Sequence, residues 1–117
     1  MRLLEIPGVE EGENSWGPDT ALWVNGTQMA NFRRDGGLEI RLSRRVITEL
    51  KVRLSADRRV ALRGNSDWAG FRFKFTADFD FLVEMAGRAA KVYLPADGTA
   101  PKPPPSGAEM ARRKAFH

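Results

Sequence analysis

Seven basic side chains are the residues of this sequence whose type and spacing best fit a binding chemistry. Two stand together in a predicted turn, and the others occupy strand positions that are expected to point away from the core. Guanidinium and ammonium groups in such an array can contact the phosphates of a nucleic acid. The predicted anion-binding or nucleic-acid-binding face consists of Arg33, Arg34, Arg41, Arg59, Arg63, Arg72 and Lys74. The alternative is a solvated face that only protects the sheet from aggregation.

The distribution of charge along the chain is uneven and agrees with such a face. Residues 1–32 carry one arginine against five acids, whereas residues 33–63 carry ten basic and four acidic residues. A basic middle segment with acidic flanks is compatible with an anionic partner, although many soluble domains share this pattern. Nucleic acid is therefore one of two candidate partners.

The other candidate partner is a protein or a second copy of the chain. The predicted register of the first hairpin places Leu22, Val24 and Met29 on the outward side of the sheet. An uncovered apolar patch of this kind marks a contact surface. The alternative is that the apolar N-terminal residues, among them Leu3 and Ile6, cover the patch within the same molecule.

A third candidate is a small pocket formed by Trp23, Asp67 and Trp68. An acid–base reaction there would need a second ionisable group within hydrogen-bond reach of Asp67, and the sequence identifies none. Asp67 as a turn residue in Asn65–Trp68 is favoured over a catalytic role. Trp16 is interpreted as a side chain that fills the edge of the core, and this interpretation is favoured over a ligand contact. No enzymatic activity is expected.

Composition excludes several other classes of function. The chain of 117 residues has no cysteine and a single histidine, so thiolate, zinc and His-based catalytic centres are not expected, and neither is a cofactor. No apolar run reaches the roughly 20 residues of a membrane span. The apolar stretch in the first residues is too short for a signal peptide. These features predict a cytoplasmic protein without metal or membrane contact.

The segment Ala21–Leu42 is the element around which the other segments are predicted to assemble. Asn25-Gly26 predicts a two-residue hairpin turn of type I′, with Val24 opposite Thr27 and Trp23 opposite Gln28. Continued pairing places Leu22 opposite Met29. A second turn then pairs Phe32 with Leu38 and Ala30 with Ile40. In this register the inward face collects Trp23, Ala30, Phe32, Leu38, Ile40 and Leu42.

The rest of the chain supplies two helices and two further strands. Met1–Ile6 is interpreted as a short strand or helical turn, and Val9–Pro18 as a loop. Ser43 is a good N-cap for an amphipathic helix that ends near Asp57. The strands Arg59–Arg63 and Ala69–Phe75 follow, and the second strand is expected to direct Phe71, Phe73 and Phe75 into the core. The last helix spans roughly Ala77–Leu94, with a buried stripe of Phe79, Leu82, Val83, Ala86, Ala90 and Tyr93.

These elements predict one α+β domain over residues 1–95. Its order is β-β-β-α-β-β-α, with five strands in a mainly antiparallel sheet and the C-terminal helix on the inner face. Residues 96–117 contain a Pro-rich run and a basic end, a composition that cannot bury enough apolar surface to order itself alone. This tail is predicted to be mostly disordered.

Four short segments carry a resemblance to a known family. They are Ile6–Gly12, Ala21–Gly26, Leu38–Leu42 and Ser66–Trp68. As a set they resemble small, mostly bacterial proteins catalogued as "luciferase domain" proteins of unknown function, over about residues 4–93. Members of that family tend to carry histidines around the second turn, where this chain has Asn31, Arg33 and Glu39. The final strand and helix are also similar, more faintly, to the MmcQ/YjbR family, whose fold implies double-wing DNA binding.

The sequence as a whole predicts a small non-enzymatic binding module. A protein partner or self-association through the first hairpin is the first hypothesis. A nucleic acid on the basic sheet face is the second, and a pocket near Asp67 and Trp68 is the third.

Overall fold

A six-stranded antiparallel sheet, in the order β1-β2-β3-β4-β6-β5, is the centre of the computed structural model, which describes residues 2–15 and 19–115. The strands are β1 Val9–Glu13, β2 Thr20–Val24, β3 Thr27–Phe32, β4 Leu38–Arg41, β5 Val60–Leu62 and β6 Trp68–Phe71. The helices are a short 3-10 helix Arg2–Glu5, α1 Arg44–Glu49, α2 Lys51–Ala56, α3 Thr76–Tyr93 and α4 Gly107–Ala115. The predicted α+β class with an antiparallel sheet is confirmed.

The prediction of five strands is wrong, because the segment interpreted as a loop contains β1. Val9 pairs with Val24 and Glu13 with Thr20, so β1 lies at the edge of the sheet beside β2. Val9 is buried in the core, while the glutamates of this strand are exposed. Charged side chains are common on edge strands, where they discourage pairing with another chain. The acidic composition of this segment therefore led to its interpretation as a loop.

The predicted element order also lacks β1 and α4. Trp16 lies outside the described residues.

The predicted hairpin turn is present, with a positive φ at both Asn25 and Gly26. Val24 pairs with Thr27 and Trp23 with Gln28, as predicted. The next pair is Leu22 with Ala30, so that Met29 is an extra residue in β3. Such a β-bulge reverses the side on which the later residues of a strand point.

The bulge overturns the predicted placement of the first hairpin. Leu22, Val24 and Met29 lie in the main core, each no more than 1 % exposed, instead of on the outward side. Trp23 lies on the opposite side of the sheet, in a separate cluster. Downstream of the bulge the predicted register holds, with Ala30 opposite Ile40 and Phe32 opposite Leu38.

Helix α3 covers the inner face of the sheet, as predicted. It begins at Thr76 because Asp78 accepts hydrogen bonds from the backbone amides of Lys74 and Phe75. The predicted stripe is only partly correct, since Phe79 is 39 % exposed. The residues of α3 that are buried are Phe81, Leu82, Met85, Ala86, Ala89 and Ala90.

The predicted strand Ala69–Phe75 is shorter in the structure. Strand β6 ends at Phe71, which is buried, and Phe73 packs against the core from a half-buried position. Phe75 is 71 % exposed, because it is the N-cap of α3 and no longer part of the sheet. Strand alternation therefore does not extend to Phe75.

The structure places part of the tail across the outer face of the sheet, which is the face opposite α3. The backbone amide of Lys102 donates to Oδ1 of Asn25, and Met110 of α4 is buried with Ala21 and Trp23. The outer face is therefore covered over the β1–β3 half, whereas the β4–β6–β5 half carries the cavity described below.

Candidate anion-binding site

A cavity of about 370 Å³ lies at one end of strands β4, β6 and β5. We call it the arginine cavity, because four arginines contribute to its wall. Its lining residues are Arg33, Asp35, Gly37, Arg58, Arg59, Val60, Ala61, Gly70, Phe71 and Arg72. The lining residues include four arginines and one carboxylate, that of Asp35, so the wall carries a net positive charge that is suited to an anion.

The arginine cavity exists because small residues meet at its floor. Gly70 pairs with Ala61 on one side and with Glu39 on the other. Neither Gly70 nor Ala61 has a side chain long enough to fill the space above the sheet. The sheet is therefore open at this point, with longer basic side chains at the margin.

Glu39 holds two of the basic side chains in position. Its Oε1 lies 2.9 Å from Nη1 of Arg33 and 2.7 Å from Nη2 of Arg63. Arg33 also contacts Asp35 at 3.3 Å. These ion pairs are exposed enough to add little stability, but they fix the direction of the two guanidinium groups beside the cavity.

Of the four arginines that line the cavity, Arg58 and Arg72 are the two that are free to bind a ligand. Both are exposed, and within residues 2–15 and 19–115 neither lies within 4.0 Å of a carboxylate. A smaller neighbouring cavity of about 280 Å³ shares Asp35, Gly37 and Arg72 with the arginine cavity and adds Lys74. The positive surface thus continues along the margin of the sheet.

Asp35 stays ionised at the edge of this surface. The hydrogen bond from the Gly37 amide, followed by the charges of Arg33 and Arg72, lowers the pKa of the Asp35 carboxyl below its ordinary value of 3.8. Its negative charge therefore partly offsets the nearby guanidinium groups at neutral pH.

Arg59 lines the cavity but directs its guanidinium group elsewhere. That group contacts Asp57 at 2.8 Å and Asp78 at 3.0 Å, and it lies 4.2 Å from the ring centroid of Phe81 in α3. The hydrogen bond to Asp57 is the largest cause of a raised pKa at Arg59. Arg59 is thus a structural tie between the sheet and α3, and we exclude it from the ligand-binding set.

Arg41 is also held within the protein. Its guanidinium carbon lies 6.0 Å from the ring centroid of Trp68 and 5.7 Å from that of Tyr93, and Nη2 is 3.9 Å from Asp67. Arg41 therefore lies between two rings at the other end of β4 from the arginine cavity. Of the seven predicted cations, those that line the arginine cavity are Arg33, Arg59 and Arg72. Arg63 and Lys74 lie beside it, and Arg34 is exposed in the turn that follows Arg33.

The predicted pocket of Trp23, Asp67 and Trp68 is not assembled. Trp23 is on β2 and Trp68 on β6, and two strands separate them in the sheet, a distance of about 14 Å at the usual strand spacing. Oδ1 of Asp67 accepts a hydrogen bond from the Arg44 amide at the start of α1. Asp67 thus has a structural role, in agreement with the interpretation of it as a turn residue.

Sequence reasoning missed Arg58 and the small floor residues. Arg58 falls between the predicted helix that ends near Asp57 and the predicted strand Arg59–Arg63, and nothing in its own sequence neighbourhood places it beside Arg33. The signal that could have found the floor is Ala61 and Gly70, which stand at outward positions of two strands otherwise rich in arginine. Small residues between basic ones indicate an open space instead of a continuous charged surface.

No protein-family model, curated protein or solved structure matches this chain. The resemblance to the "luciferase domain" family therefore stays a prediction. In the described ranges, no three His, Cys, Asp or Glu side chains converge as they would around a metal ion. The same part of the chain contains no helix that is long and apolar enough to cross a bilayer.

Proposed function

We propose that this chain is a non-enzymatic binding module that holds the phosphate backbone of a nucleic acid at the arginine cavity. The observation that carries this proposal is the open floor at Gly70 and Ala61, flanked by Arg58 and Arg72, whose guanidinium groups lack an ion pair in the described part of the chain. Guanidinium groups bind phosphate oxygens through paired, charge-assisted hydrogen bonds.

The lining of the arginine cavity favours contacts to phosphates over contacts to bases, because its aromatic residue, Phe71, is buried. Recognition of unpaired bases uses aromatic rings exposed beside the basic groups. Phe71 is buried in the core, and Trp68 lies against Arg41 at the other end of its strand. Binding should therefore show little dependence on nucleotide sequence.

Association with a protein or with a second copy is the competing hypothesis. The residues on which it was based, Leu22, Val24 and Met29, are buried in the described structure. They offer a partner no surface unless the hairpin opens. The basic face needs no such rearrangement, which is why we favour the nucleic acid.

The test is fluorescence anisotropy with a labelled 20-base-pair DNA duplex at low salt, repeated with a single strand of the same length. The double variant Arg58→Ala/Arg72→Ala should bind at least about tenfold more weakly than the wild type, because two phosphate contacts are lost. The matched control is Arg45→Ala/Lys51→Ala, which removes the same charge from exposed positions on α1 and α2.

Two results would reject the proposal. One is that both double variants bind the DNA more weakly by the same factor, which would mean that affinity depends only on the net charge of the protein. The other is no measurable binding by the wild type in 50 mM salt. In the second case, a dimer detected by light scattering would support self-association instead.

A further inference from the structure

A second cavity, of about 330 Å³, lies on the α3 side of the sheet near the start of that helix. We call it the apolar cavity. Its lining residues are Arg2, Leu3, Phe32, Leu38, Phe73, Phe79, Leu82 and Val83. Seven of these eight side chains are hydrocarbon or aromatic, and Arg2 is the exception. Its volume falls at the lower end of the range of about 300–1,000 Å³ that is typical of small-molecule sites.

Apolar side chains near this cavity are less covered than core packing would leave them. Phe79 is 39 % exposed although its ring is only 5.3 Å from that of Phe73, centroid to centroid. Leu4 and Phe75, which adjoin the lining segments in sequence, are also exposed. Exposed apolar surface on a residue that lines an apolar cavity, here Phe79, is typical of a binding site.

Arg2 lines the cavity with its aliphatic stem, and the guanidinium group at the end of that stem selects the class of ligand. Nη2 of Arg2 lies 2.8 Å from Oδ1 of Asp80, and both side chains are more than half exposed. Exposed ion pairs of this kind contribute little stability, so Arg2 can exchange Asp80 for another carboxylate. A guanidinium group at an apolar cavity is complementary to a molecule with a carboxylate head and an apolar body.

We propose that the apolar cavity binds a small amphipathic monocarboxylate, of the size of a medium-chain fatty acid. The chain of the ligand enters among Phe32, Phe73 and Phe79, where no polar wall group needs a partner. The carboxylate pairs with Arg2 at the margin. The volume is too small for the whole of a long acyl chain, so octanoate is a suitable probe.

The experiment compares octanoate with 1-octanol by isothermal titration calorimetry on the full chain. Octanoate should bind at least about fivefold more tightly to the wild type, since only the acid can pair with Arg2. Arg2→Gln should remove this preference and leave octanol binding unchanged. Asp80→Asn should increase octanoate affinity about two- to threefold, because it frees Arg2.

Filling the cavity supplies a second readout. Val83→Phe should abolish binding of both probes, whereas Val52→Phe, at an 88 % exposed position on α2, should leave it unchanged. If Val83→Phe fails to fold, methyl NMR replaces it. Octanoate should then shift the resonances of Leu3 and Leu82 and leave that of Met110, on the other side of the sheet, unmoved.

Three outcomes would overturn the assignment. They are no octanoate binding by the wild type, equal affinity for octanoate and octanol, and ligand-induced shifts at Met110 without shifts at Leu82. The apolar cavity and the arginine cavity lie on opposite faces of the sheet and share no residue. Failure of one proposal therefore leaves the other intact.

Discussion

Met110 and Trp23 bury each other on the outer face of the sheet. Each is 1 % exposed, and with Ala21 they form a cluster separate from the main core. The bulge at Met29 turns Trp23 to this side, and helix α4 supplies the side chain that covers it. Without α4, the indole of Trp23 would be exposed to water on the outer face of the sheet. The contact therefore joins the last helix to the first hairpin.

Met110→Ala should lower the free energy of unfolding by roughly 2 kcal/mol, at the low end of the range for a buried methionine, because a terminal helix can shift to reduce the loss. Urea denaturation measures the change. Glu109→Ala, at the exposed neighbouring position, should stay within about 0.5 kcal/mol of the wild type. A Met110→Ala variant as stable as the wild type would support the disordered tail that composition predicts.

A substitution at Gly12, in the edge strand β1, tests the position of the Trp23 side chain. A Cβ atom added at Gly12 would lie 2.7 Å from Cδ1 and 2.8 Å from Nε1 of the buried indole, which cannot move aside easily. Gly12→Ala should therefore destabilise the fold by about 1–3 kcal/mol. Gly87→Ala in α3 meets nothing within 4 Å and should stabilise it by about 0.5–1 kcal/mol. If Gly12→Ala and Gly87→Ala shift the midpoint temperature of thermal unfolding in the same direction, the described position of Trp23 against β1 is contradicted.

The lowered pKa of the Asp78 carboxyl group predicts how the free energy of unfolding depends on pH. Hydrogen bonds from the Lys74 and Phe75 amides, and then the bond from Arg59, lower the pKa of Asp78 below its ordinary value of 3.8. Because the unfolded chain holds this proton more tightly, the stabilisation is complete above about pH 5 and is lost as the pH falls through the folded pKa. Asp78→Asn should reduce stability at pH 7 and flatten this acid dependence.

The control for Asp78 is Asp80→Asn, because the Asp80 carboxylate contacts Arg2 instead of the backbone amides before α3. Chemical denaturation at a series of pH values between 2 and 7 gives both curves. If Asp78→Asn and the wild type lose stability in parallel below about pH 4, Asp78 does not cap α3 as described.

Gly70→Val separates binding from folding. A Cβ at this position meets Ala61 at 3.6 Å, an ordinary contact, and valine is a better strand residue than glycine. Stability should therefore be unchanged or about 0.5–1 kcal/mol higher. The added methyl groups occupy the floor of the arginine cavity, so affinity for the DNA duplex should fall about tenfold. A stable Gly70→Val variant with full affinity would show that the ligand binds elsewhere.

The elements that sequence predicted best are those determined by local chemistry. The Asn25-Gly26 turn and the cap at Ser43 each depend on residues a few positions apart, and both are present. The pairing of β3 with β4 also follows the predicted register. In these cases local preference and burial favour the same structure.

What sequence missed depends on non-local geometry. A single extra residue at Met29 reversed the predicted faces of Leu22 and Val24, and no residue type in β3 marks a bulge. The apolar side chains of β2 are buried on both faces, so alternation carried no information about which face α3 covers. The cover over Trp23 comes from a distant segment whose composition resembles a linker.

The site was predicted only in part for a related reason. Alternation identified Arg63 and Arg72 as cations of the sheet face, and Arg33 was predicted in a neighbouring turn. It could not show that Glu39 would neutralise two of them, or that Arg59 would be tied to α3. Counting charges by strand position overestimates the binding surface, because carboxylates on neighbouring strands become visible only once the strands are paired.

Salt dependence of DNA binding tests the proposed role of the arginine cavity most directly. Each phosphate contact adds about 0.9 to the slope of log K against log salt for duplex DNA. Between 50 and 200 mM salt, the slope for Arg58→Ala/Arg72→Ala should be smaller than that of the wild type by about 2. The slope for Arg45→Ala/Lys51→Ala should match the wild type. Equal slopes for all three proteins would contradict binding of phosphates by Arg58 and Arg72.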